Sequence, residues 1–577
     1  MIPLLEINNL TISFKQNKQK NIAVDQLSLR VYRGETLGIV GESGSGKSLT
    51  SLAIIRLLSK QAHLDSGEIV LHLKDNEKSI LTQLSEKELR KLRGKHIAMI
   101  FQEPMTSLNP VMRCGKQVAE ILLLHQSISK KEARQKTIQL FKEVKLPRPE
   151  AIYNAYPHEL SGGQKQRIMI AMAMACEPEL LIADEPTTAL DVSVQQAIIE
   201  LIQHLKTKYK TTTLFISHDL NLVANIADHI AVVYQGKIAE YGSTKEIFSN
   251  PKSSYTKGLL KCKPPIDKRL KQLPLLEDFL AADSKSRLNF LLGSTNEISS
   301  ESRKKRLAEL YKQKPLLKAE NVSLSYPLKI SFFGKTLSEI RAVDRVSFAL
   351  YKGETLGLAG ESGCGKTSLS RCLLLLNKAS EGKLYFDDKD VFKFSSKEIK
   401  SFRKKVQIVF QDPYGSLNPR MQIGRAIMEP MIAHQLYTKQ NRKQKALEFM
   451  EKVGLSPAAF HRYPHEFSGG QRQRISIARA LAVNPELLIF DESVSSLDVS
   501  IQAQILNLLN QLKEEFKLSY LFISHDLSVL KYMSDRIMVM DSGKIIEIND
   551  ADQLFAKPKH SYTKKLLRAI PKISFEL

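Results

Sequence analysis

The sequence lacks any apolar run close to the ~18 residues that a helix needs to cross a bilayer. Its first ten residues, MIPLLEINNL, also lack the basic region and the apolar stretch of a signal peptide. We therefore expect a chain that is neither exported nor able to insert into a membrane by itself. The 577 residues, 43% of them hydrophobic and 25% charged, have the composition of a globular protein, and this length predicts about two to four domains.

Cysteine is scarce and scattered along the chain. The five cysteines form no CxxC pair and no Cys/His cluster with the spacing of metal ligands. They are Cys114, Cys176, Cys262, Cys364 and Cys372. This distribution fits a reducing cytoplasm, and it predicts neither a structural zinc site nor an iron–sulfur cluster.

Acidic residues are too few to balance the basic ones. The 61 Asp and Glu residues stand against 85 Lys and Arg residues, which gives a formal net charge of +24. Such an excess attracts a nucleic acid or an anionic lipid surface without specific contacts. A Lys-rich composition that only solvates the surface explains the same charge, so both interpretations stay open.

The sequence does contain one long internal repeat. GESGSGKSLT, from Gly41, recurs as GESGCGKTSL, from Gly360, and a long segment of similar sequence follows each of them. The segments that contain SGGQ, DE and SHD then follow in both copies at one constant spacing, and SYTKGLL recurs as SYTKKLL. We predict two similar domains, at residues 1–260 and 319–577.

Residues 261–318 separate the two copies, and their composition is typical of a linker with some helix. They include Pro264 and Pro265, a polar GSTNEISSES run and the stretch LAELYKQK, which is compatible with a short helix. The basic cluster Arg303–Arg306 has two interpretations, a nucleic-acid patch or four exposed charges without a partner.

GETLGIVGESGSGKS has the form of a phosphate-binding loop, G-x-x-x-x-G-K-S between a β-prone run and a helix-compatible run. Its glycines allow backbone N–H groups to surround phosphate oxygens at a helix N-terminus. We expect Lys47 to reach the β- and γ-phosphates and the Ser48 hydroxyl to ligate Mg²⁺, and the second copy repeats this pair. The two loops comprise Gly41, Glu42, Ser43, Gly44, Ser45, Gly46, Lys47 and Ser48, and Gly360, Glu361, Ser362, Gly363, Cys364, Gly365, Lys366 and Thr367.

Two carboxylates and a histidine follow apolar strands in each copy. In ELLIADE and ELLIFDE we expect the Asp to hold the Mg²⁺ shell and the Glu to polarise the attacking water, although such a pair could also cap a helix. The SHD histidine, after the next strand, suits a contact with the γ-phosphate, although a lone histidine is more often structural. These residues are Asp184, Glu185 and His218 in the first copy and Asp491, Glu492 and His525 in the second.

The order of these motifs resembles that of the ATP-binding cassette (ABC) ATPases, and the resemblance covers both halves almost completely. LSGGQ, at Leu160–Gln164, is the motif that separates this family from other P-loop proteins. The resemblance implies an α/β fold with two P-loop nucleotide-binding domains, each with a RecA-like core, a β-subdomain and a helical subdomain. It also implies that the two domains pair head to tail within this one chain, so that each signature completes the ATP site of the other domain.

Further residues match functional positions of the family. The resemblance implies that Phe14 and Tyr326 stack on adenine and that Gln102 and Gln411 sense Mg²⁺ and the membrane partner. Ser161, Gly162, Gly163 and Gln164 would face the ATP held by Lys366, while Ser468, Gly469, Gly470 and Gln471 would face the ATP held by Lys47. Asp191 and Asp498 match the D-loop aspartate, and His218 and His525 match the switch histidine.

The departures from the family pattern are small. Phe467 replaces the Leu of the second signature, and Ser493 replaces the usual Pro after the second catalytic Glu. Because both Glu185 and Glu492 are present, we predict two hydrolytic sites rather than one active and one degenerate site.

Several segments resemble the dipeptide/oligopeptide importers in particular. IFQEPMTSLNP, from Ile100, and VFQDPYGSLNP, from Val409, look like the region that faces the membrane subunits. PLKISFFGKTLSEIRAVDRVSF, after Tyr326, resembles an insertion in the second ATPase of that family, and the SYTK segments resemble its C-terminal extension. Only Cys262 stands where some members carry a cysteine cluster, so we predict no cluster.

The resemblance implies an ATPase that uses ATP with Mg²⁺ at the cytoplasmic face of the inner membrane. Its implied partners are two integral-membrane permease subunits and a solute-binding protein. The alternative is a soluble twin-cassette ATPase that acts on the ribosome or on nucleic acid, which only the net charge favours. The cargo stays open among dipeptides, oligopeptides, glutathione and nickel complexes, because a cassette need not touch it.

Overall fold

The computed structural model describes residues 2–16, 19–73, 78–102, 107–188, 190–281, 285–330, 336–495 and 497–570. These residues form two compact units, which divide between Leu260 and Lys261. Parts of two importer-like segments, residues 103–106 and residues 331–335, lie outside the described residues.

The first unit contains two sheets. The strands β1–β10 span Leu5–Gln16, Gln19–Val31, Thr36–Val40, Ala62–His72, Lys78–Ile80, Ile97–Ile100, Leu180–Asp184, Thr212–Ser217, His229–Tyr234 and Lys237–Ser243. An antiparallel sheet has the order β2-β1-β4-β5, and a six-stranded sheet has the order β10-β9-β3-β8-β7-β6. The six-stranded sheet is parallel except for its edge pair β9 and β10.

The second unit repeats this arrangement. Its strands β11–β20 span Pro315–Ile330, Thr336–Tyr351, Thr355–Ala359, Glu381–Phe386, Lys389–Asp390, Val406–Val409, Leu487–Asp491, Ser519–Ile523, Arg536–Asp541 and Lys544–Asp550. The antiparallel sheet has the order β12-β11-β14-β15, and the six-stranded sheet has the order β16-β17-β18-β13-β19-β20. The two copies therefore share one topology, and the predicted α/β class is confirmed.

Helices cover the sheets and form a separate helical region in each unit. In the first unit they span Lys47–Ile54, Glu86–Leu92, Cys114–His125, Lys130–Glu143, Pro149–Asn154, Gly162–Met174, Val192–Tyr209, Leu220–Ala224, Thr244–Ser249 and, reaching the boundary, Ser254–Lys261. In the second unit they span Leu276–Leu280, Lys285–Leu292, Ser300–Leu310, Lys366–Leu373, Ser396–Lys405, Ile423–Ala433, Lys439–Lys452, Gly469–Leu481, Val499–Phe516, Leu527–Met533, Ala551–Ala556 and Ser561–Arg568. Short 3₁₀ turns occur at Pro157–Glu159, Ser294–Asn296, Val391–Lys393, Pro457–His461 and Pro464–Glu466.

The central strands are buried on both faces. Every residue of β3, β7 and β8 is buried, as expected for parallel strands between layers of other elements. Side chains of β3 and β7 also pack against those of the antiparallel sheet to form one core, for example Ile39 and Ile182 with Ile7 and Ile69. Since parallel strands end at the same edge, the segments that follow β3, β7 and β8 are brought together there.

The segment expected to be a linker is packed as part of the second unit. Arg303 is only 5% exposed, and it forms ion pairs with Asp550 at 2.9 Å and with Asp552 at 2.7 Å. Arg306 pairs with Asp535 at 3.1 Å. The helix Ser300–Leu310 begins before LAELYKQK because the Ser299 hydroxyl caps it. The basic cluster is thus not a set of four exposed charges, which was one of its two interpretations, because Arg303 and Arg306 form ion pairs that hold this segment in place.

Candidate nucleotide-binding and hydrolysis sites

The first phosphate-binding loop joins β3 to the helix Lys47–Ile54. Gly44 and Gly46 have φ angles of +81° and +102°, which a glycine adopts without strain. The Lys47 ammonium is buried and donates to the carbonyl oxygens of Gly41 and Glu42, both at 2.8 Å. The loop therefore curls around its own lysine at the N-terminus of a helix, which is a geometry that suits phosphate.

The second loop has the same geometry between β13 and the helix Lys366–Leu373. Gly363 and Gly365 have φ angles of +80° and +110°. The Lys366 ammonium donates to the carbonyl oxygens of Gly360 at 2.8 Å and Glu361 at 3.0 Å. The structure thus places both predicted loops as the sequence indicated.

The residues expected to ligate Mg²⁺ meet in each unit. The Ser48 hydroxyl donates to Asp184 Oδ1 at 3.1 Å, and the Ser51 hydroxyl donates to Oδ2 of the same carboxylate at 3.2 Å. Burial is the largest influence on the Asp184 carboxyl and raises its pKa. A neighbouring cation would offset that cost, and hydroxyl and carboxylate oxygens are the donors that Mg²⁺ prefers, so the donor set fits the ion.

The same hydroxyl and carboxylate groups meet in the second unit. Thr367 and Ser370 donate to the two oxygens of Asp491, both at 3.2 Å. Burial again raises the pKa of the Asp491 carboxyl. Ser51 and Ser370 were not among the residues predicted from the motifs. Their signal was a hydroxyl three residues after the loop Ser or Thr, which a helix brings to the same face.

Glu185 lies beside Asp184 and accepts hydrogen bonds from several side chains. The Gln102 amide donates to Glu185 Oε2 at 2.9 Å, the Thr188 hydroxyl donates to the same oxygen at 2.8 Å, and His218 Nδ1 lies 3.3 Å from Oε1. Burial acts to raise the pKa of Glu185, but His218, Thr188 and the Lys47 charge outweigh it and lower the pKa to about 2. The carboxylate is therefore ionised at neutral pH.

Glu492 has matching surroundings in the second unit. The Gln411 amide donates to Glu492 Oε2 at 3.1 Å, His525 Nδ1 lies 3.4 Å from the same oxygen, and the Lys366 ammonium lies 3.2 Å from Oε1. Burial opposes ionisation here too, but His525 and Lys366 outweigh it and lower the pKa of Glu492 to about 2. Each predicted catalytic glutamate thus has a glutamine and a histidine in contact with its carboxylate. The presence of two hydrolytic sites stays a prediction.

Both glutamates have a left-handed backbone conformation. Their φ angles are +46° at Glu185 and +47° at Glu492. A residue with a Cβ is strained in this region by about 1–3 kcal/mol, and such strain is concentrated at functional sites. The backbone N–H of Glu185 donates to the carbonyl oxygen of Ile216, and that of Glu492 donates to the carbonyl oxygen of Ile523. Both carbonyls belong to the strand that leads into the SHD segment. These backbone hydrogen bonds therefore stabilise the strained conformation, and the strand that accepts them also leads to the histidine.

The signature residues form exposed helix N-termini. Ser161 caps the helix Gly162–Met174, where its hydroxyl accepts from the N–H of Gln164 at 3.4 Å and the Gln164 side chain accepts from the N–H of Ser161 at 3.0 Å. Ser468 and Gln471 form the same capping box at the helix Gly469–Leu481. Each end presents a partial positive charge to the solvent, which suits an anion.

The remaining predicted residues lie at other places in each unit. Asp191 and Asp498 are the N-cap residues of the helices Val192–Tyr209 and Val499–Phe516. Phe14 lies on β1, half-buried against the core, and Tyr326 lies exposed on β11. The adenine-stacking role of both aromatics and the D-loop role of both aspartates stay predictions.

The substituted signature residue is accommodated by packing. Phe467 is buried, and the Arg462 guanidinium lies 4.6 Å from the centre of its ring. Ser493, the other departure, is buried directly after Glu492. Glu492 still accepts a hydrogen bond from Gln411, as Glu185 does from Gln102.

Within the described ranges, no group of three or more His, Cys, Asp or Glu side chains is placed to hold a metal ion. All five cysteines are described, and none forms a disulfide. No helix among those described is both long and apolar enough to span a bilayer. The absence of an iron–sulfur cluster and of zinc stays a prediction.

Two family descriptions match the chain. The family described as "ABC transporter" is matched by residues 24–188 and 343–495, one stretch in each unit. The description "Oligopeptide/dipeptide transporter, C-terminal region" matches residues 239–285 and 546–577. Both matches occur twice, in the order that the duplication predicts.

Similar proteins cover nearly the whole chain. The glutathione import ATP-binding protein GsiA of Pectobacterium atrosepticum is 42% identical over 570 residues, which are 98% of this chain and 89% of that protein. GsiA of Salmonella typhimurium is 43% identical over the same shares. A solved dimeric bacterial ABC transporter cassette, MJ0796, is 29% identical, with 42% of this chain and 98% of that chain covered and a TM-score of 0.37.

The phosphate loops, the paired carboxylates and the family matches together define an ATP-hydrolysing enzyme with two cassettes. The chain belongs to the ABC transporter ATPases, and within them it carries the C-terminal region of the oligopeptide/dipeptide transporters in both halves. The resemblance inferred from the motifs, the fold class and the ATPase activity are thereby confirmed. We now call residues 2–260 the first cassette and residues 319–570 the second.

Proposed function

We propose that this chain energises an importer for peptides or related small solutes. Its partners would be two separate permease subunits and a solute-binding protein, and it would work peripherally at the cytoplasmic face of the inner membrane. The observation that carries this proposal is the complete set of hydrolytic side chains in both cassettes, combined with an oligopeptide/dipeptide C-terminal region in both.

Each cassette would bind ATP on its loop and hold Mg²⁺ with its hydroxyl and aspartate. Ser48 and Asp184 would hold the ion in the first cassette, Thr367 and Asp491 in the second, with Gln102 and Gln411 as predicted further ligands. Bound Mg²⁺ would neutralise phosphate charge. Lys47 and Lys366 would exchange their carbonyl partners for phosphate oxygens.

The buried glutamates would orient and polarise the attacking water. Because the pKa of Glu185 and of Glu492 is about 2, both are already ionised at neutral pH and can accept a hydrogen bond from water. His218 Nδ1 lies 3.3 Å from Glu185 and His525 Nδ1 lies 3.4 Å from Glu492, and these contacts would fix the orientation of each carboxylate. For phosphoryl transfer, the protein mainly has to position the reacting groups and stabilise the charge on the phosphates.

We further propose that the signature of each cassette completes the site of the other. In this arrangement Ser161–Gln164 would face the ATP on Lys366, and Ser468–Gln471 would face the ATP on Lys47. The exposed helix N-termini at both signatures support this, since they are free to meet an anion. ATP would then shift the population toward a closed pair of cassettes, and hydrolysis would reopen it.

Glutathione is the first candidate for the cargo. The relatives that cover 98% of this chain are described as glutathione import proteins. Dipeptides, oligopeptides and nickel complexes are the further candidates, since the cassettes need not contact the solute. Uptake of labelled glutathione, with and without a tenfold excess of unlabelled dipeptide, by cells that produce this chain with its permease subunits would decide between them.

A pull-down tests the transport role. The Glu185→Gln, Glu492→Gln double variant, tagged and kept in mild detergent with ATP and Mg²⁺, should retain two polytopic membrane proteins that mass spectrometry identifies. The wild-type chain without nucleotide is the matched control and should retain less of them. Recovery of ribosomes or nucleic acid with no membrane subunit would instead support the twin-cassette alternative.

A further inference from the structure

A tyrosine of the C-terminal extension contacts the phosphate-binding loop in each cassette. In the first, the backbone N–H of Glu42 donates to the Tyr255 hydroxyl at 3.1 Å. In the second, the N–H of Glu361 donates to the Tyr562 hydroxyl, also at 3.1 Å. Both tyrosines belong to the repeated SYTK segment, more than 200 residues after the loop that they touch.

The first of these tyrosines is held in place by packing and hydrogen bonds. Tyr255 is only 2% exposed, and its ring lies 4.2 Å from that of Tyr234 between centres. The chain just before it is fixed by the Glu240 carboxylate, which accepts from the N–H groups of Lys252 at 2.7 Å and Ser253 at 3.0 Å. The hydroxyl is thus the polar end of an otherwise buried, fixed side chain.

The second tyrosine is anchored by an equivalent carboxylate. Glu547 accepts from the N–H groups of Lys559 and His560, both at 3.0 Å, and from the Thr563 hydroxyl at 2.7 Å. Burial raises the pKa of Tyr562, so its hydroxyl stays protonated and neutral at working pH. The same contact therefore arises in two cassettes from separate sets of residues.

The loop residue that the tyrosine touches is held from two sides. Glu42 donates its N–H to Tyr255, while its carbonyl oxygen accepts from the Lys47 ammonium at 2.8 Å. Lys47 must turn toward the phosphates when ATP binds, and this weakens its hold on that carbonyl. The hydrogen bond to the tyrosine does not depend on the lysine, so it stays available in the nucleotide-bound state.

We propose that Tyr255 and Tyr562 are positioning residues that keep each loop in its phosphate-accepting conformation. The C-terminal extension would thereby set the ATP affinity of its own cassette. The proposal rests on the ATP binding described above, and it assigns to the repeated SYTK segment a task within the ATPase itself. In the second cassette, Lys565 adds a contact to the same loop residue, since its ammonium lies 3.3 Å from Glu361 Oε1.

The test is the Tyr255→Phe, Tyr562→Phe double variant of the full chain, which keeps both rings and removes only the hydroxyls. Loss of one neutral hydrogen bond per loop should raise the KM for ATP by about three- to tenfold and change kcat by less than about twofold. The matched control is Tyr234→Phe, whose hydroxyl accepts from the Gln235 side chain at 3.1 Å and not from the loop. It should leave KM unchanged.

A merely structural role would give a different result. It would lower the melting temperature equally with and without ATP and leave KM unchanged, and that outcome would overturn the proposal. If the double variant does not fold, each single variant is titrated with a fluorescent ATP analogue in the Glu185→Gln, Glu492→Gln background, where a weaker site is expected in the cassette that lost its hydroxyl. A wild-type chain that binds no ATP would instead reject the ATPase function, whereas equal binding by wild type and variants rejects only this inference.

Discussion

Glu185 and Glu492 show how single side chains acquire a charge suited to their task. Each is less than 10% exposed, and burial alone would favour the neutral acid. A histidine and a buried lysine near each carboxylate, together with the Thr188 hydroxyl at Glu185, outweigh burial and lower the pKa to about 2. The neighbouring aspartates carry no such set of partners, and burial raises their pKa. The two carboxylates of each pair are therefore prepared for different roles.

The equivalence of the two glutamates predicts two working sites. Glu185→Gln and Glu492→Gln should each lower kcat by similar factors of at least about two, and the double variant should lower it about 100-fold or more, since a glutamine cannot accept a proton from water. Steady-state ATPase assays of purified full chain measure this. Glu301→Gln, an exposed carboxylate outside both sites, is the control. A silent Glu492→Gln beside a nearly inactive Glu185→Gln would show one degenerate site.

The lowered pKa also predicts a pH dependence of stability. A carboxyl whose pKa falls from 4.5 to about 2 on folding stabilises the folded state above pH 4.5, and this contribution is lost as the pH falls toward 2. The melting temperature of wild type should therefore exceed that of Glu185→Gln at pH 6, and the difference should shrink between pH 4.5 and pH 3. Scanning fluorimetry measures it, with Glu301→Gln as the control variant.

At the scale of elements, the sequence predicts what lies close along the chain. The buried runs of β3, β7 and β8 are each followed directly by a functional segment, so parallel pairing alone brings Lys47, Asp184 and His218 to one sheet edge. Contacts between distant segments carry no such local signal. Tyr255 lies 213 residues after the loop residue that it contacts. Arg303 is buried beside Asp550, which lies 247 residues further along the chain.

The buried arginine predicts that the linker segment stabilises the second unit. Arg303→Ala removes two ion pairs and leaves Asp550 half-buried without its partner, which should cost about 1.5–3 kcal/mol. That corresponds to a fall of several degrees in the melting transition of a unit of this size. Lys304→Ala, at the exposed neighbouring position, is the matched control and should change little. Equal effects of both variants would mean that the cluster acts only through its net charge.

The excess charge is a property of the whole molecule, and it need not indicate a nucleic-acid partner. If the +24 charge only solvates the surface, binding of a labelled duplex should be weak and should fall steeply between 50 and 200 mM salt. The duplex should also leave the ATPase rate unchanged. Fluorescence anisotropy and ATPase assays at both salt concentrations measure this. Tight binding at 200 mM salt with stimulated hydrolysis would contradict the importer role.

The duplication predicts how the activity of the whole chain depends on concentration. A single cassette supplies one phosphate loop and one signature, whereas this chain carries two of each. If each signature completes the ATP site of the other cassette, as proposed above, the covalent connection would replace a bimolecular encounter by an intramolecular one with a high effective concentration. ATPase activity per molecule should therefore stay constant when the purified chain is diluted from micromolar to low nanomolar concentrations. If activity instead falls in proportion to concentration, the cassettes pair between chains, and fusion would then serve only to supply both in equal number.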